Sequence, residues 1–259
     1  MKRGAFMKLG AQLFTVRDFA KDTVSLEKTL EKIADIGYTA VQLSGVCPYD
    51  AEWMRDTLNK LGLVAPITHY DFKKITENKE ETSRFHKTFG ASYIGIGCSP
   101  FSFDEEGFEK LTKPLCAVAE YYKSQGQKLM YHNHNMEFGR LSGQLFLEKL
   151  LDTLDAEHLG ITFDTYWAQA GGADPAFWLK KLIGRVDCIH LKDMALSLPE
   201  REQRMAAVGK GNMNFEAILS AAEDVGVQYA FVEQDSCYGE DPFDCLKQSY
   251  DYLKAMGLS

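Results

Sequence analysis

Apolar positions along the chain fall into one repeating phrase: a run at helical spacing, a glycine, then a short apolar block. Leu26, Leu30, Ile33 and Ile36 mark one face of a helix, Gly37 follows, and Ala40-Val41-Gln42-Leu43 reads as a strand. Trp53, Met54, Leu58 and Leu61 precede Gly62 and Val64–Thr68 in the same way, as Phe85 and Phe89 precede Gly90 and Tyr93–Ile96. The phrase returns with Leu115, Val118 and Ala119 before Gly126 and Leu129–Tyr131. It returns with Leu179, Leu182 and Ile183 before Gly184 and Val186–Ile189, and with Ile218, Leu219 and Ala222 before Gly226 and Tyr229–Val232. A glycine there suits a helix C-terminus, where the left-handed backbone costs glycine little.

The apolar blocks hardly alternate, as expected for strands covered on both faces. Leu9–Phe14 and Leu159–Phe163 complete a set of eight, each followed by a helix. Eight such units in 259 residues predict an α/β fold, a single-domain (β/α)8 barrel over residues 7–259 with residues 1–6 as a short N-terminal extension. No Gly-x-Gly-x-x-Gly follows the first strand, so a dinucleotide-binding open sheet lacks support.

Composition narrows the surroundings. Hydrophobic residues make up 45% and charged residues 25%, ordinary for a globular chain. No apolar run approaches the roughly 18 residues that span a bilayer, and the basic N-terminus lacks the apolar stretch of a secretory signal. A cytoplasmic protein without a membrane partner is expected. Net charge is −8 with no Lys/Arg cluster, which argues against nucleic acid. The six cysteines contain no CxxC pair and read as free thiols, Cys188 as a buried one. The 16 Phe, 12 Tyr and 3 Trp allow a homo-oligomer without locating its interface.

In a barrel of this kind the site is built at the C-terminal ends of the strands. The fifth ends in Tyr131-His132-Asn133-His134-Asn135-Met136-Glu137-Phe138, and the sixth in Phe163-Asp164-Thr165-Tyr166-Trp167. The seventh ends in His190-Leu191-Lys192-Asp193, the eighth in Val232-Glu233-Gln234-Asp235. Four successive strands thus bring Glu or His, Asp, His and Glu to one rim, a set suited to one divalent ion: Mn2+ foremost, or Mg2+, Co2+ or Zn2+. Each residue alone has a plainer reading. Asp193 and Asp235 are candidate helix N-caps, His69 a candidate core histidine, and Lys192 a candidate structural partner of Asp164 or Glu233.

These motifs, with Gln12 in the first strand, resemble the xylose-isomerase-like TIM barrel superfamily, and within it the sugar phosphate isomerase/epimerase group. The resemblance covers nearly the whole chain and implies Asp164, His190 and Glu233 as metal ligands. The fourth is His132 or Glu137. A hard ion's preference for carboxylate favours Glu137, which must then lie past the strand end or after a bulge, because positions 132 and 134 share a strand face and 137 does not. Gln12, His69 and Trp167 are the expected substrate contacts; Phe14 and Tyr70 are candidates for a sugar-stacking wall, and Trp178 and Phe101 read better as packing. The ketose epimerases' substrate His and Arg are replaced here by Trp167 and Leu196. Gly209-Lys210-Gly211-Asn212 is either a small loop over the site or a plain turn.

The resemblance implies a metal-dependent isomerase or epimerase acting through an enediolate on a keto-sugar or related small carbohydrate. Glu137, Glu233, His132, His134 and Lys192 are the expected acid–base and polarising groups. The alternative is β-elimination, a lyase or dehydratase acting on a 3-keto-sugar, a 3-keto-glycoside or an inosose. Two remoter alternatives are a non-catalytic sugar-binding subunit and an endonuclease. The latter needs three zinc ions and a basic face, and this acidic chain has only six histidines.

Overall fold

A computed structural model of the chain describes residues 7–258; the expected extension at residues 1–6 lies outside them. Eight parallel strands close into a barrel: β1 (Lys8–Gln12), β2 (Ala40–Leu43), β3 (Val64–His69), β4 (Tyr93–Ile96), β5 (Lys128–His132), β6 (Leu159–Asp164), β7 (Cys188–Leu191) and β8 (Tyr229–Val232). Each strand pairs with the next, and β8 closes on β1 through Gly10 opposite Phe231. Helices such as Thr23–Ile36, Glu105–Ser124 and Pro242–Ala255 cover the outside. The six glycines that close the repeating phrase all have positive φ. At Gly37 a side chain is excluded twice over, by a φ of +116° and by a Cβ position 2.4 Å from the Tyr250 hydroxyl.

Strand alternation divides the core in two. Leu9, Ala11, Val41, Leu43, Leu129, Tyr131, Ile189, Leu191, Ala230 and Val232 point outward and bury against the helices. The inward set forms a separate apolar layer of Ala40, Ile67, Met130, Cys188 and Phe231 that fills the barrel. Gly10 and Gly160 make room for it: a Cβ at Gly10 would lie 2.6 Å from the Phe231 ring, and one at Gly160 2.4 Å from the Met130 sulfur. Two residues further along seven of the eight strands the same face carries Gln12, Gln42, His69, His132, Thr162, His190 and Glu233. A period of two therefore sets a polar layer directly on an apolar floor.

Three local expectations are corrected. β1 stops at Gln12, whose side chain caps the 3-10 helix Leu13–Phe19 by accepting from the Phe14 N–H. β7 starts at Cys188 rather than Val186. The chain after β7 does not pass straight to a helix but forms an antiparallel hairpin, Asp193–Ser197 with Glu202–Ala206.

Candidate metal centre and active site

Four side-chain atoms converge at the C-terminal mouth: His132 Nε2, Asp164 Oδ2, His190 Nδ1 and Glu233 Oε2. The candidate ligand atoms of these four buried residues all lie within 4.8 Å of one another. Each side chain is fixed by its other polar atom. His132 Nδ1 lies 2.9 Å from the Gly97 carbonyl, so it carries the proton and leaves Nε2 with its lone pair inward. His190 Nε2 likewise donates to Gln42 Oε1 at 2.6 Å, leaving Nδ1 inward. Asp164 Oδ1 accepts from the Trp167 N–H at 2.9 Å, capping the short helix Thr165–Ala170. Glu233 Oε1 accepts from Gln12 Nε2 at 2.8 Å.

The backbone beneath is tied just as firmly. Asn133, fully buried, accepts from the Asp164 N–H at 3.0 Å. Thr165 Oγ1 donates to the Lys192 carbonyl and accepts from the Lys192 N–H. The inward atoms are short of partners by comparison. His190 Nδ1 and Glu233 Oε2 approach to 2.9 Å, yet each is buried without a well-formed hydrogen bond. His132 Nε2 and Asp164 Oδ2 approach each other to 3.3 Å. Converging donor atoms on two imidazoles and two carboxylates, each side chain oriented by an outer partner, fit a divalent cation.

Lys192 is the positive charge at the centre. Its Nζ lies 3.2 Å from Asp164 Oδ2, 2.9 Å from Glu233 Oε2 and 2.9 Å from Asp235 Oδ1. Burial alone would depress its pKa, but the three carboxylates outweigh burial and raise it. Burial would likewise raise the carboxyls of Asp164 and Glu233, but the Lys192 charge and the neighbouring imidazoles hold both far below the carboxylate range. Asp235 is different. Burial and the charge of Glu233 push it up to about 6 despite its contact with Lys192.

The expected fourth ligand, Glu137, stands apart. It lies past the strand end in the 3-10 turn Met136–Phe138, fully buried, and accepts from the Tyr131 hydroxyl at 2.7 Å and the His134 N–H at 2.8 Å. Both its oxygens are occupied, and His132 takes the place beside Asp164. The two residues offered as helix caps also have other roles. Asp193 accepts from the backbone N–H groups of Met194, Gly209, Gly211 and Met213, so the Gly209–Asn212 segment is a turn wrapped on that carboxylate. Asp235 pairs with Lys192.

A cavity of about 280 Å³ opens above the cluster, lined by Gln12, Phe14, Ser44, His69, His132, His134, Lys192, Glu233 and Asp235 among others. His69 is not simple core: its ring lies 5.1 Å from that of His132 and 5.6 Å from that of His190, and its Nε2 has no partner. Burial and the two imidazoles keep it neutral. His134 sits edge-on to His132 and 5.3 Å from the Trp167 ring; burial lowers its pKa to about 3. Trp167 Nε1 is buried and unpaired, and the Lys192 ammonium lies 5.7 Å from its ring centroid. Gln12 rims the cavity but commits its amide to Glu233 and Phe14. Trp178 packs on Phe138 and Phe101 on Phe72, away from the cluster. Leu196 lies exposed on the hairpin.

Sequence reasoning missed Gln42, Gly97 and the role of Asp235. Gln42 had a visible signal, as the lone polar residue in an apolar strand, opposite Gln12 in register. Gly97 acts through a carbonyl, which leaves no trace in residue type.

Fold and site together define a barrel whose polar mouth holds a metal-capable cluster of two histidines, one aspartate and one glutamate. The chain belongs to the xylose isomerase-like TIM barrel family, whose model matches residues 30–256. It is 23% identical to an inosose dehydratase of Mesomycoplasma hyopneumoniae over 90% of this chain and 89% of that protein. An inosose dehydratase of Geobacillus thermodenitrificans is 22% identical, with 89% of each chain covered. Among solved structures, a sugar phosphate isomerase/epimerase from Parabacteroides distasonis superposes with a TM-score of 0.81 at 22% identity, over 98% of this chain and 96% of that one. An L-ribulose 3-epimerase superposes with a TM-score of 0.74 at 17% identity, over 97% and 94% of the two chains. No helix among the described residues is long and apolar enough to cross a membrane.

Proposed function

We propose that this chain is a sugar-modifying enzyme that enolises a small keto-sugar with the help of one divalent ion held by His132, Asp164, His190 and Glu233. The observation that carries this reading is the convergence of four inward atoms on side chains anchored from behind by Gly97, Trp167 N–H, Gln42 and Gln12. When bound there, a divalent ion supplies Lewis acidity to a carbonyl and its neighbouring hydroxyl and so acidifies the adjacent C–H. Two imidazoles beside two carboxylates favour Mn2+, Co2+ or Zn2+ over Mg2+.

The chain's own groups supply the rest. Lys192 holds a fixed positive charge toward the cavity and stabilises oxyanion character developing on the sugar. His69 lines the cavity and offers an unpaired ring nitrogen to a sugar hydroxyl. Asp235, pushed up to about 6, is suited to take or return a proton near neutrality. The enediolate then has two fates. Reprotonation gives isomerisation with a base on one face, or epimerisation with a proton-handling group on each face of the carbon; loss of a β-hydroxyl gives dehydration, which requires one base and an acid for the leaving group. Dehydration gains support here from the engagement of Glu137 elsewhere and from the inosose dehydratases matched over most of the chain.

Incubation of the Mn2+-loaded protein with inososes and ketohexoses in D2O, followed by NMR, separates the readings. Deuterium at the α-carbon of recovered ketose, with a new epimer, supports isomerase or epimerase; a conjugated unsaturated ketone with release of water supports dehydratase. Turnover of all of them that survives exhaustive chelation contradicts metal-assisted enolisation.

A further inference from the structure

A second cavity of about 260 Å³ adjoins the mouth, between the loops that follow β2 and β3. The two share Ser44 and His69, which are hydrogen-bonded to one another at 3.2 Å and form the partition between them. Each is at or below the low end of ligand cavities, roughly 300–1,000 Å³, so each suits one ring-sized unit. Their chemistry differs. The first is lined by histidines, carboxylates and Lys192, whereas the second is walled by Tyr49, Tyr70 and Phe85. Tyr70 stacks on Phe85 with centroids 5.6 Å apart and planes at 29°, and Tyr49 leans on the same ring at 5.6 Å. At the rim, Lys74 is exposed, and its Nζ lies 5.5 Å from the Tyr70 centroid. No carboxylate is paired with it among the described residues.

Resting on the proposed keto-sugar function, we infer that this second cavity is a subsite for an aromatic ring attached to the sugar, with an acidic substituent of that ring directed at Lys74. The substrate class is therefore a keto-glycoside with an acidic aryl group, its sugar above the cluster and its ring among Tyr49, Tyr70 and Phe85. A second sugar is the weaker occupant. A sugar lays only its C–H faces on such rings and must keep its hydroxyls partnered around their edge, so it gains less from three clustered rings than an aromatic ring does. An aromatic ring meets offset or edge-on partners on these walls.

Calorimetric titration of the metal-loaded protein with four analogues that lack the ketone, and so bind without turnover, tests this: methyl β-glucoside, cellobiose, phenyl β-glucoside and 4-carboxyphenyl β-glucoside. The expected order is carboxyphenyl tightest, phenyl next, and methyl glucoside and cellobiose weakest, with about tenfold between phenyl and methyl. Tyr70→Ala brings phenyl down to the methyl level, while Lys74→Met, an exposed change that leaves the wall intact, removes only the preference for carboxyphenyl. Equal affinities, stronger binding of cellobiose than of phenyl glucoside, or no binding of either aryl glucoside overturns the subsite. Proton exchange on a ketose, measured separately, reports on the metal centre, so failure of the subsite and failure of the function are distinguished.

Discussion

Gln42 acts on the centre without facing a ligand position. Its Oε1 accepts from His190 Nε2, which turns Nδ1 of the imidazole toward Asp164 and Glu233. Gln42→Leu keeps an apolar-compatible shape in β2 but frees the ring to rotate or change tautomer. Metal affinity is expected to fall roughly 10- to 100-fold, read by titration with a fluorescent chelator competitor. His86 shows how burial sets a pH dependence away from the centre. It is fully buried, donates through Nδ1 to the Thr82 carbonyl and accepts at Nε2 from Thr68, and burial lowers its pKa to about 4. Between pH 6.5 and about 4 the unfolded chain binds a proton at this site that the folded chain refuses. Its contribution is therefore fully present above pH 6.5 and lost as pH falls toward 4, about 3 kcal/mol in all. Denaturant midpoints of wild type and His86→Gln across that range check this: the variant's profile is expected to be flatter.

At the scale of elements, the repeating helix–glycine–strand phrase was legible because both of its halves are periodic and its punctuation is chemical. The strands, the six left-handed glycines and the closed barrel follow from that pattern. Strand ends were legible too: counting two residues beyond the apolar layer lands on His132, His190 and Glu233, as the pleat requires. Glu137 misleads for a reason of the same kind. Carboxylate chemistry favours it, while strand parity puts His132 on the inward face and the turn after β5 gives Glu137 its own partners, Tyr131 and His134. The hairpin after β7 was illegible because it is short and mixed in polarity, and the turn that follows it is held by one buried acid, Asp193. Asp193→Ala removes the acceptor for four backbone N–H groups. A loss of roughly 3 kcal/mol is expected, seen as a lower Tm and faster proteolytic nicking near Gly209.

Across the whole molecule the centre concentrates charge at the barrel mouth, directly above an apolar floor. Asp164, Glu233 and Asp235 face one ammonium, Lys192, with two imidazoles alongside. An ion that binds the folded chain alone stabilises it by mass action, by about 2.7 kcal/mol at a hundred times its Kd, so Tm is expected to rise with Mn2+ and fall with chelator. Lys192→Met leaves the carboxylates without their resident counter-charge. Its chelated form is expected to be destabilised by about 3–5 kcal/mol, with a larger metal-induced rise in Tm than wild type; calorimetric scans with and without Mn2+ measure both.

The central claim is the identity of the four residues that converge on the ion. It is tested most directly by metal stoichiometry and affinity in wild type, His132→Ala and Glu137→Gln, read by native mass spectrometry and competitive titration. The account predicts one ion per chain in wild type, affinity unchanged in Glu137→Gln, and at least a tenfold loss in His132→Ala. Tight binding that survives His132→Ala but disappears in Glu137→Gln would contradict it.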